Sequence, residues 1–372
     1  MAMRSGWLGL VVSVLGLVAC GSGDEGAMLH PGAAAPGGAG GGAASGGGAA
    51  PGATTDDPST PASACPASVP APRLLATDGN AADLRIVSGM IWFRANTDVV
   101  TMAKDGTGRA TKYTSQALVR TYVETEAMLH VESPNPPDAV LVRTSLDGKV
   151  LAQAAEPWIA AGTRVFGDDG DYYYVVAEVE NGVGDTVFRV SKTTLAAQAL
   201  ANFGEGDENA IAYPQLAYPN IWFVRGQKRA YEVTQLAQTD DNGDVIGLAP
   251  QPATEIFASA TDDCRLAVDS KSAYCSNGTA LVKRDLLGAN PTTILDETMS
   301  AVKAAIGAPV ATEDALAVLP DASARTVIRM LVSGKESIAA CGRDGISEVA
   351  VDAQSVVWAE TGTSSGLYLA PR

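Results

Sequence analysis

The stretch AVLVRTSLDGK, residues 139–149, decides the fold, because looser copies of it recur along the chain. Each copy contains a short run of apolar and β-branched residues, and such runs are typical of β-strands. The strongest copies, which also carry a turn glycine, are VVTMAKDGT (99–107), LVKRDLLG (281–288) and VIRMLVSGK (327–335); weaker copies lie at 187–189, 230–232 and 367–369. The seven copies indicate a structural repeat.

A second apolar or aromatic strand precedes each copy, so the repeat contains a hairpin. These second strands are MIWF (90–93), AMLHV (127–131), YYYVV (172–176), NIWFV (220–224), SAYC (272–275), ALAVL (315–319) and VVWAE (356–360), and they begin 37 to 52 residues apart. A first strand ending in Asp168, Asp269 or Asp352 precedes three of them, and aspartate stabilises a turn by bonding the backbone two residues on. The spacing falls in the range of propeller blades.

Short sheets that are apolar on both faces must stack on one another, and radial stacking leaves few free edges. We therefore predict an all-β β-propeller of seven blades, with six or eight as alternative counts and a β-sandwich as the competing fold. The strand Arg73–Ala76 is predicted to complete the last blade and close the ring. This part of the chain resembles secreted bacterial β-propeller proteins in architecture, although it has no Trp-Asp dipeptide or paired-glycine kelch turn.

The amino-terminal segment, residues 1–19, has one early basic residue, Arg4, and an apolar run that is too short to span a bilayer. The sequence Leu17-Val18-Ala19-Cys20 follows, and it resembles the processing box of bacterial lipoproteins. This resemblance implies export, lipidation of Cys20 and membrane attachment through the lipid. Because Gly21 replaces the aspartate that favours inner-membrane retention, it implies the outer membrane rather than the inner, facing the periplasm or the cell surface.

Composition divides the remainder into two parts. Residues 20–70 are rich in Gly, Ala and Pro and have few large apolar side chains, which predicts a disordered tether that carries the lipidated cysteine. Residues 71–372 form the predicted propeller. The chain has 42 acidic and 26 basic residues, a net charge of -16, so its field repels nucleic acid and we expect no such partner.

Four cysteines remain in the exported part, and four allow three disulfide pairings. If Asp269 and Ser270 form a two-residue turn, Cys264 lies directly opposite Cys275, within disulfide range. A four-residue turn would place the two on a diagonal. The other predicted pair is Cys65 with Cys341, which would join the two ends of the ring. Four free buried thiols are the alternative, although an oxidising compartment disfavours them.

Strings that match catalytic motifs lack the structural context those motifs need. Residues 362–366, GTSSG, match the nucleophile elbow but join two predicted strands, and residues 300–303, SAVK, stand without their companion motifs. His130 is the one histidine outside the tether and is predicted to be a packed or surface residue. We therefore predict no catalytic residues from spacing.

Metal and cofactor sites are not indicated either. Asp240, Asn242 and Asp244 copy the start of a calcium loop, but its glycine and its final glutamate are replaced. The carboxylates around Asp168 and Asp171 leave a weak calcium site as an alternative. We expect neither a metal ion nor a cofactor.

Aromatic and cationic side chains recur at equivalent positions of the repeat, which indicates structural roles. Trp92, Trp222, Trp358 and the tyrosines 172–174 occupy equivalent second-strand positions, which predicts that they fill the core between blades. Cations recur on third strands and are predicted to be exposed or to extend their charged ends to solvent; they are Arg143, Arg189, Lys283 and Arg329.

Two functional hypotheses follow. The first is a lipid-anchored, non-enzymatic module that binds an envelope protein or an extracellular ligand. The second is an enzyme acting on polysaccharide or a cell-wall polymer through paired carboxylates at the axial mouth, where propeller loops converge. Two carboxylates in one axial pocket would favour the second.

Overall fold

The computed structural model describes residues 68–78, 80–135, 138–155, 159, 162–179, 183–202, 211–217, 220–225, 229–239, 245–250, 254–258, 264–269, 271–276, 280–285, 292–296, 309–312, 315–318, 326–332, 335–343, 345–361 and 365–372. Its regular elements in these ranges are all β-strands, arranged in seven antiparallel sheets that follow chain order. Successive small antiparallel sheets are the architecture of a β-propeller, so the prediction of an all-β propeller is confirmed.

The first three sheets hold the early strands. Sheet I contains β2 (Ala81–Val87), β3 (Met90–Ala95), β4 (Asp98–Ala103) and β5 (Ala110–Thr114). Sheet II contains β6 (Leu118–Val123), β7 (Ala127–Asn135), β8 (Asp138–Ser145) and β9 (Val150–Ala154). Sheet III contains β10 (Arg164–Asp168), β11 (Tyr172–Val179), β12 (Val183–Ser191) and β13 (Ala197–Asn202).

The remaining four sheets continue the pattern. Sheet IV contains β14 (Ile211–Ala217), β15 (Asn220–Arg225), β16 (Arg229–Thr239), β17 (Val245–Pro250) and β18 (Thr254–Ala258), where β17 and β18 pair with different halves of β16. Sheet V contains β19 (Arg265–Val268), β20 (Ser272–Ser276), β21 (Ala280–Asp285) and β22 (Thr292–Asp296). Sheet VI contains β23 (Pro309–Thr312), β24 (Ala315–Val318), β25 (Thr326–Val332) and β26 (Lys335–Arg343). Sheet VII contains β27 (Ile346–Val351), β28 (Ser355–Glu360), β29 (Gly366–Pro371) and β1 (Arg73–Ala76).

The repeat that the sequence indicates lies on the third strand of every sheet, from β4 to β29. The first strands β2, β6, β10, β14, β19, β23 and β27 contact one another in chain order, and β27 contacts β2. First strands are the inner strands of a propeller, so their residues are the ones nearest its axis.

Aromatic second-strand residues fill the spaces between sheets, as predicted. Trp222 and Trp358 are buried, Tyr173 packs with sheet II residues, and Tyr174 packs with sheet IV residues. Alternating side chains of one strand thus serve the two neighbouring sheets, which is what strand geometry requires when both faces are covered.

The predicted aspartate turns are present at Asp269 and Asp352. Each side chain accepts hydrogen bonds from the backbone N–H groups two and three residues on, at 2.7 to 2.9 Å. In sheet III the turn residue is Asp169 and not Asp168, because Asp168 is the last residue of β10 and bonds to other side chains. The prediction was therefore one residue early in that sheet.

A disulfide bond joins Cys264 to Cys275, with their Cα atoms 5.4 Å apart. The hairpin register pairs Leu266 with Cys275, so the cysteines lie on a diagonal and not directly opposite each other. Val268 pairs with Ala273, so the hairpin has the four-residue turn that the sequence analysis gave as the alternative, and the diagonal separation still allows the predicted bond. Cys341 is also disulfide-bonded, while its predicted partner Cys65 lies outside the described residues.

Several sequence predictions fall outside the described residues. They are the signal peptide, Cys20, most of the tether, the Asp240 loop, the 300–303 string and positions 362–364 of the GTSSG string. In the part of the chain that is described, no helix has the length and apolar character needed to cross a membrane.

Candidate functional site

The first strands carry irregularities that direct polar side chains toward the axis. Register shifts interrupt the pairing of β2, β6, β10, β14 and β27 with their second strands. A bulge adds a residue to one strand and changes the direction of its side chains. In β2 the bulge includes Asp83, whose φ of +55° is in the left-handed region. Strain of this kind is often found at functional sites.

Four charged residues of first strands form what we call the axial cluster: Asp83, Arg120, Arg164 and Glu348. Asp83 accepts hydrogen bonds from Arg94 Nε at 2.8 Å and from the Thr121 backbone N–H at 3.0 Å. Arg120 NH1 lies 3.6 Å from Asp83 Oδ1, which is a loose ion pair. The Asp83 carboxylate is therefore held firmly, while the Arg120 guanidinium keeps donors for a further partner.

Glu348 brings a second carboxylate to the same place. Its Oε2 accepts a hydrogen bond from the Leu84 backbone N–H at 2.7 Å, next to Asp83 in the chain. Burial raises the pKa of Glu348 above its ordinary value, and the nearby negative charge of Asp83 adds to this effect, although the bond from Leu84 opposes it. When one of two neighbouring carboxyl groups is buried, its pKa rises and the two groups lose their protons at different pH values.

A cavity of about 130 Å³ opens beside the cluster. Charged residues and apolar residues of sheets I, II and III line it: Asp83, Arg120, Thr121, Leu129, Val131, Arg164 and Val165. Since one water takes about 30 Å³ of liquid, the cavity is the size of four water molecules. It can accept one side chain or one chain end, and it is too small for several sugar rings.

Replacing Glu348 by glutamine removes a pH-dependent destabilisation. The raised folded-state pKa means that the folded chain holds a proton that the unfolded chain releases, so wild-type stability falls as pH rises above the ordinary value of 4.5. We expect the melting temperature of Glu348→Gln, compared with wild type, to be similar at pH 4 and higher at pH 8. Thermal unfolding at both pH values measures this. Glu126→Gln, at an exposed position, is the control, and an equal difference at both pH values would contradict the assignment.

A second charged cluster joins sheets II and III. Glu124 accepts hydrogen bonds from Arg143 NH2 at 2.9 Å, from the Tyr173 hydroxyl at 2.5 Å and from Lys192 Nζ. Lys192 also contacts Asp168 at 2.7 Å. Burial would raise the pKa of Glu124, but the bonds from Lys192, Tyr173 and Arg143 outweigh burial and hold the pKa below its ordinary value. Charge and hydrogen bonds are satisfied here, so this cluster is structural.

Two of the four third-strand cations, Arg143 and Arg189, do not fit the prediction that they are exposed or extend their charged ends to solvent. Lys283 fits it, with 38% of its side chain exposed, and the side chain of Arg329 is outside the part that the structure describes. The side chain of Arg143 is 19% exposed and bonds Glu124, and Arg189 is 4% exposed. Arg189 donates from Nε to Gln198 and stacks on the Tyr172 ring, whose centroid is 4.8 Å from its Cζ. The position in the repeat did not indicate that Tyr173 of the neighbouring sheet contacts Arg143. It also did not indicate the contacts of Arg189 within its own sheet.

His130 is packed in the core, which is one of the two predicted placements. It is fully buried, bonds Thr121 Oγ1 at 3.0 Å and Thr144 Oγ1 at 2.9 Å, and stacks on Tyr113 with 4.1 Å between ring centroids. Burial lowers its pKa to about 3. Among the described residues no group of three His, Cys, Asp or Glu side chains could hold a metal ion. Asp168 and Asp169 instead serve the interface and the turn.

The axial cluster was missed by sequence reasoning. Its signal was available as charged residues inside short apolar first strands, for example Arg120 in LVRTYV and Asp83 in AADLRIV. Strand alternation alone cannot show which face of such a strand reaches the axis, because bulges shift the alternation.

Comparisons with solved structures support the propeller fold. The prolyl endopeptidases studied for inter-domain dynamics match with a TM-score of 0.57 and 11% identity over 78% of this chain and 46% of theirs. Tricorn protease matches with 0.52 and 10% over 82% of this chain and 34% of its own. The β-propeller domain of the trilobed protease from Pyrococcus furiosus matches with 0.53 and 13% over 80% of this chain and 96% of its own. This chain thus spans about a third of the tricorn chain and less than half of the prolyl endopeptidase chain.

No family model matches the sequence, and no curated protein matches it. These three matches are propellers of peptidases, and they contradict the hypothesis of a non-enzymatic binding module. Kluyveromyces lactis Hsv2 also matches, with a TM-score of 0.51 and 9% identity over 78% of this chain and 97% of its own. That hypothesis rested on the missing catalytic motifs, and the matches show that propellers of this fold occur inside hydrolytic enzymes. At identities of 10 to 13% the likeness carries the fold and not the substrate.

Proposed function

We propose that this chain is a peptidase-related propeller whose axial cavity receives one end or one side chain of a peptide that is to be hydrolysed. The observation that carries the proposal is the axial cluster, where Arg120 and Asp83 present opposite charges at the mouth of a cavity of side-chain size. Peptides offer both charges together with apolar side chains, which suits a lining that includes Leu129 and Val131. The matched peptidase propellers support a hydrolytic setting.

A second candidate function is hydrolysis by the axial carboxylates themselves. It is favoured by the raised pKa of Glu348, which allows this residue to hold a proton for a leaving group, while Asp83 stands beside it. The second sequence hypothesis requires two carboxylates in one axial pocket, whereas the described cavity lining contains Asp83 and not Glu348. This candidate therefore depends on the contact that Glu348 makes beside Asp83, through the Leu84 backbone N–H. The small cavity favours a peptide substrate over a polysaccharide.

One experiment tests both candidates. Full-length wild-type protein is incubated with a mixture of defined peptides, and mass spectrometry measures which peptides it retains and which shorter products appear. We expect retention that Arg120→Gln weakens about tenfold, as the loss of a charge-assisted hydrogen bond does. Glu126→Gln serves as the surface control. Equal retention by Arg120→Gln and wild type would overturn the first candidate.

The shorter products measured by mass spectrometry test the second candidate. Products that appear with wild type and disappear with Glu348→Gln support hydrolysis by the axial carboxylates. Products that persist with Glu348→Gln, or their complete absence, exclude it. If peptides are neither retained nor cleaved, both candidates fail.

We also propose that the seven sheets are seven blades of one closed ring, with β1 completing the last blade. Support comes from the first-strand contacts, which run from sheet I to sheet VII and back to sheet I, and from the pairing of Arg73 with Leu369. The trilobed protease propeller differs, since an open velcro topology is described for it. An experimental structure viewed down the axis that shows another blade count or an open seam would refute this.

Export and lipid attachment are proposals as well. We infer that Cys20 is the lipidated residue of an outer-membrane lipoprotein, that residues 20–70 tether the propeller to the membrane and that residues 71–372 form it. The motif at Leu17–Cys20 and the composition of the tether support this. Metabolic labelling with palmitate tests it: label that persists in Cys20→Ala would refute the anchor.

A further inference from the structure

A second cavity lies where β1 pairs with β29, and we call it the seam cavity. Its volume is about 410 Å³, and it is lined by Ala71, Arg73, Lys104, Gln354, Ser355, Leu369 and Pro371. It shares no lining residue with the axial cavity. Cavities that bind small molecules usually measure about 300 to 1,000 Å³, so the seam cavity is of ligand size.

Two cations stand at its edge with donors to spare. Arg73 donates one hydrogen bond, from NH2 to the Lys104 carbonyl oxygen, and Lys104 Nζ pairs with Asp352. A guanidinium has five N–H groups and an ammonium has three, so the described residues leave most of these donors for a ligand. Arg73 is exposed, and the side chain of Lys104 is 23% exposed, so both are accessible from solvent.

The acids near the cavity are already engaged. Asp352 Oδ1 accepts from the backbone N–H groups of Gln354 and Ser355, both at 2.9 Å, and Oδ2 pairs with Lys104. Asp105, which lies near Arg73, accepts from the Thr107 backbone at 2.8 Å and from its hydroxyl at 2.6 Å.

The lining itself contains two cations and no acid, in a chain of net charge -16. An anion is attracted to such a place and repelled by most of the remaining surface.

The rest of the lining decides the shape of the ligand. Ala71, Leu369 and Pro371 form an apolar wall, while Gln354 and Ser355 add neutral polar groups. An apolar wall beside two cations suits a molecule with an apolar body and one anionic group, because the body loses contact with water while the anion forms charge-assisted hydrogen bonds. We propose that the seam cavity binds an amphipathic organic anion, with a ring-sized apolar body and one carboxylate, sulfonate or phosphate group.

A matched pair of fluorescent probes tests this on the full-length protein. 8-Anilinonaphthalene-1-sulfonate carries the anion, and N-phenyl-1-naphthylamine has the same rings without the sulfonate. We expect the sulfonate probe to bind wild type about tenfold more tightly than the neutral probe, and Arg73→Gln to remove that advantage, as the loss of a charged hydrogen bond does. Binding of the neutral probe should not change.

Arg109→Gln is the control, because Arg109 is an exposed arginine that pairs with Asp78 at 2.9 Å outside the cavity. Melting temperatures of both variants show whether either has lost its fold. Equal affinities of the two probes for wild type would overturn the proposal. So would an Arg73→Gln variant that binds the sulfonate probe as tightly as Arg109→Gln, since binding would then involve apolar surface elsewhere.

Discussion

Glu124→Gln is expected to destabilise the protein by about 3 kcal/mol, because removing one partner of a buried ion pair leaves the other charge uncompensated. Glu124 has 5% of its side chain exposed, and it faces Arg143 and Lys192, which are 19% and 12% exposed. Glutamine keeps the volume and still accepts a bond from Tyr173, so the loss comes from charge. Thermal unfolding at pH 7 should show a melting temperature roughly 5 °C lower, given the unfolding entropy of a domain of this size.

The pH dependence of this loss provides an internal check. The folded-state pKa of Glu124 lies below its ordinary value, so its stabilisation is present above about pH 4.5 and disappears as pH falls through the folded-state pKa. Wild type and Glu124→Gln should therefore converge in acid. Glu126→Gln, two residues away at an exposed position, should match wild type throughout. If Glu124→Gln were as stable as Glu126→Gln at pH 7, the interface between sheets II and III would not depend on this carboxylate.

Gly148→Ala is expected to cost about 2 to 5 kcal/mol, from two separate causes. Gly148 has φ +83°, where a side chain costs roughly 1 to 2 kcal/mol. A Cβ there would also lie 2.1 Å from the Lys112 carbonyl oxygen of β5, and forced overpacking costs about 1 to 3 kcal/mol. The oxygen belongs to a backbone strand of sheet I, so the clash can be relieved only by moving the two sheets apart. Chemical denaturation of the variant measures the loss.

Gly89→Ala separates the two causes. Gly89 has φ +76°, close to that of Gly148, but a Cβ there meets nothing within 4 Å. It should lose only the conformational part, about 1 to 2 kcal/mol. Equal losses in the two variants would show that sheets I and II do not approach each other at Gly148 as closely as the structure places them.

Much of the fold could be predicted because its determinants are local. The run at 139–149 and its copies combine short apolar segments with turn residues, which is typical of short antiparallel strands. Each copy is the third strand of a sheet. Aromatic residues at equivalent positions, such as Trp222 and Trp358, indicated the packing between sheets. The error was local too: the turn in sheet III was placed at Asp168, one residue before Asp169, because pattern alone does not set a hairpin register.

The axial cluster could not be predicted, because its members are far apart in the chain. Asp83 and Glu348 are separated by 265 positions, and they meet only because β2 and β27 are neighbours. Bulges then direct their side chains to the axis, and no spacing rule in the sequence encodes a bulge.

The sequence by itself determined the strand content, the repeat and the hairpin that the Cys264–Cys275 bond crosses. These features depend on side-chain chemistry and on residues that are close in the chain, so the sequence pattern is enough to predict them. Tertiary structure alone decided which charges meet: Glu124 with Lys192 of the next sheet, and Asp83 with Arg120 and Glu348 at the axis. Charge interactions act between neighbours in space, and in a propeller the neighbours of a strand are set by how the sheets stack.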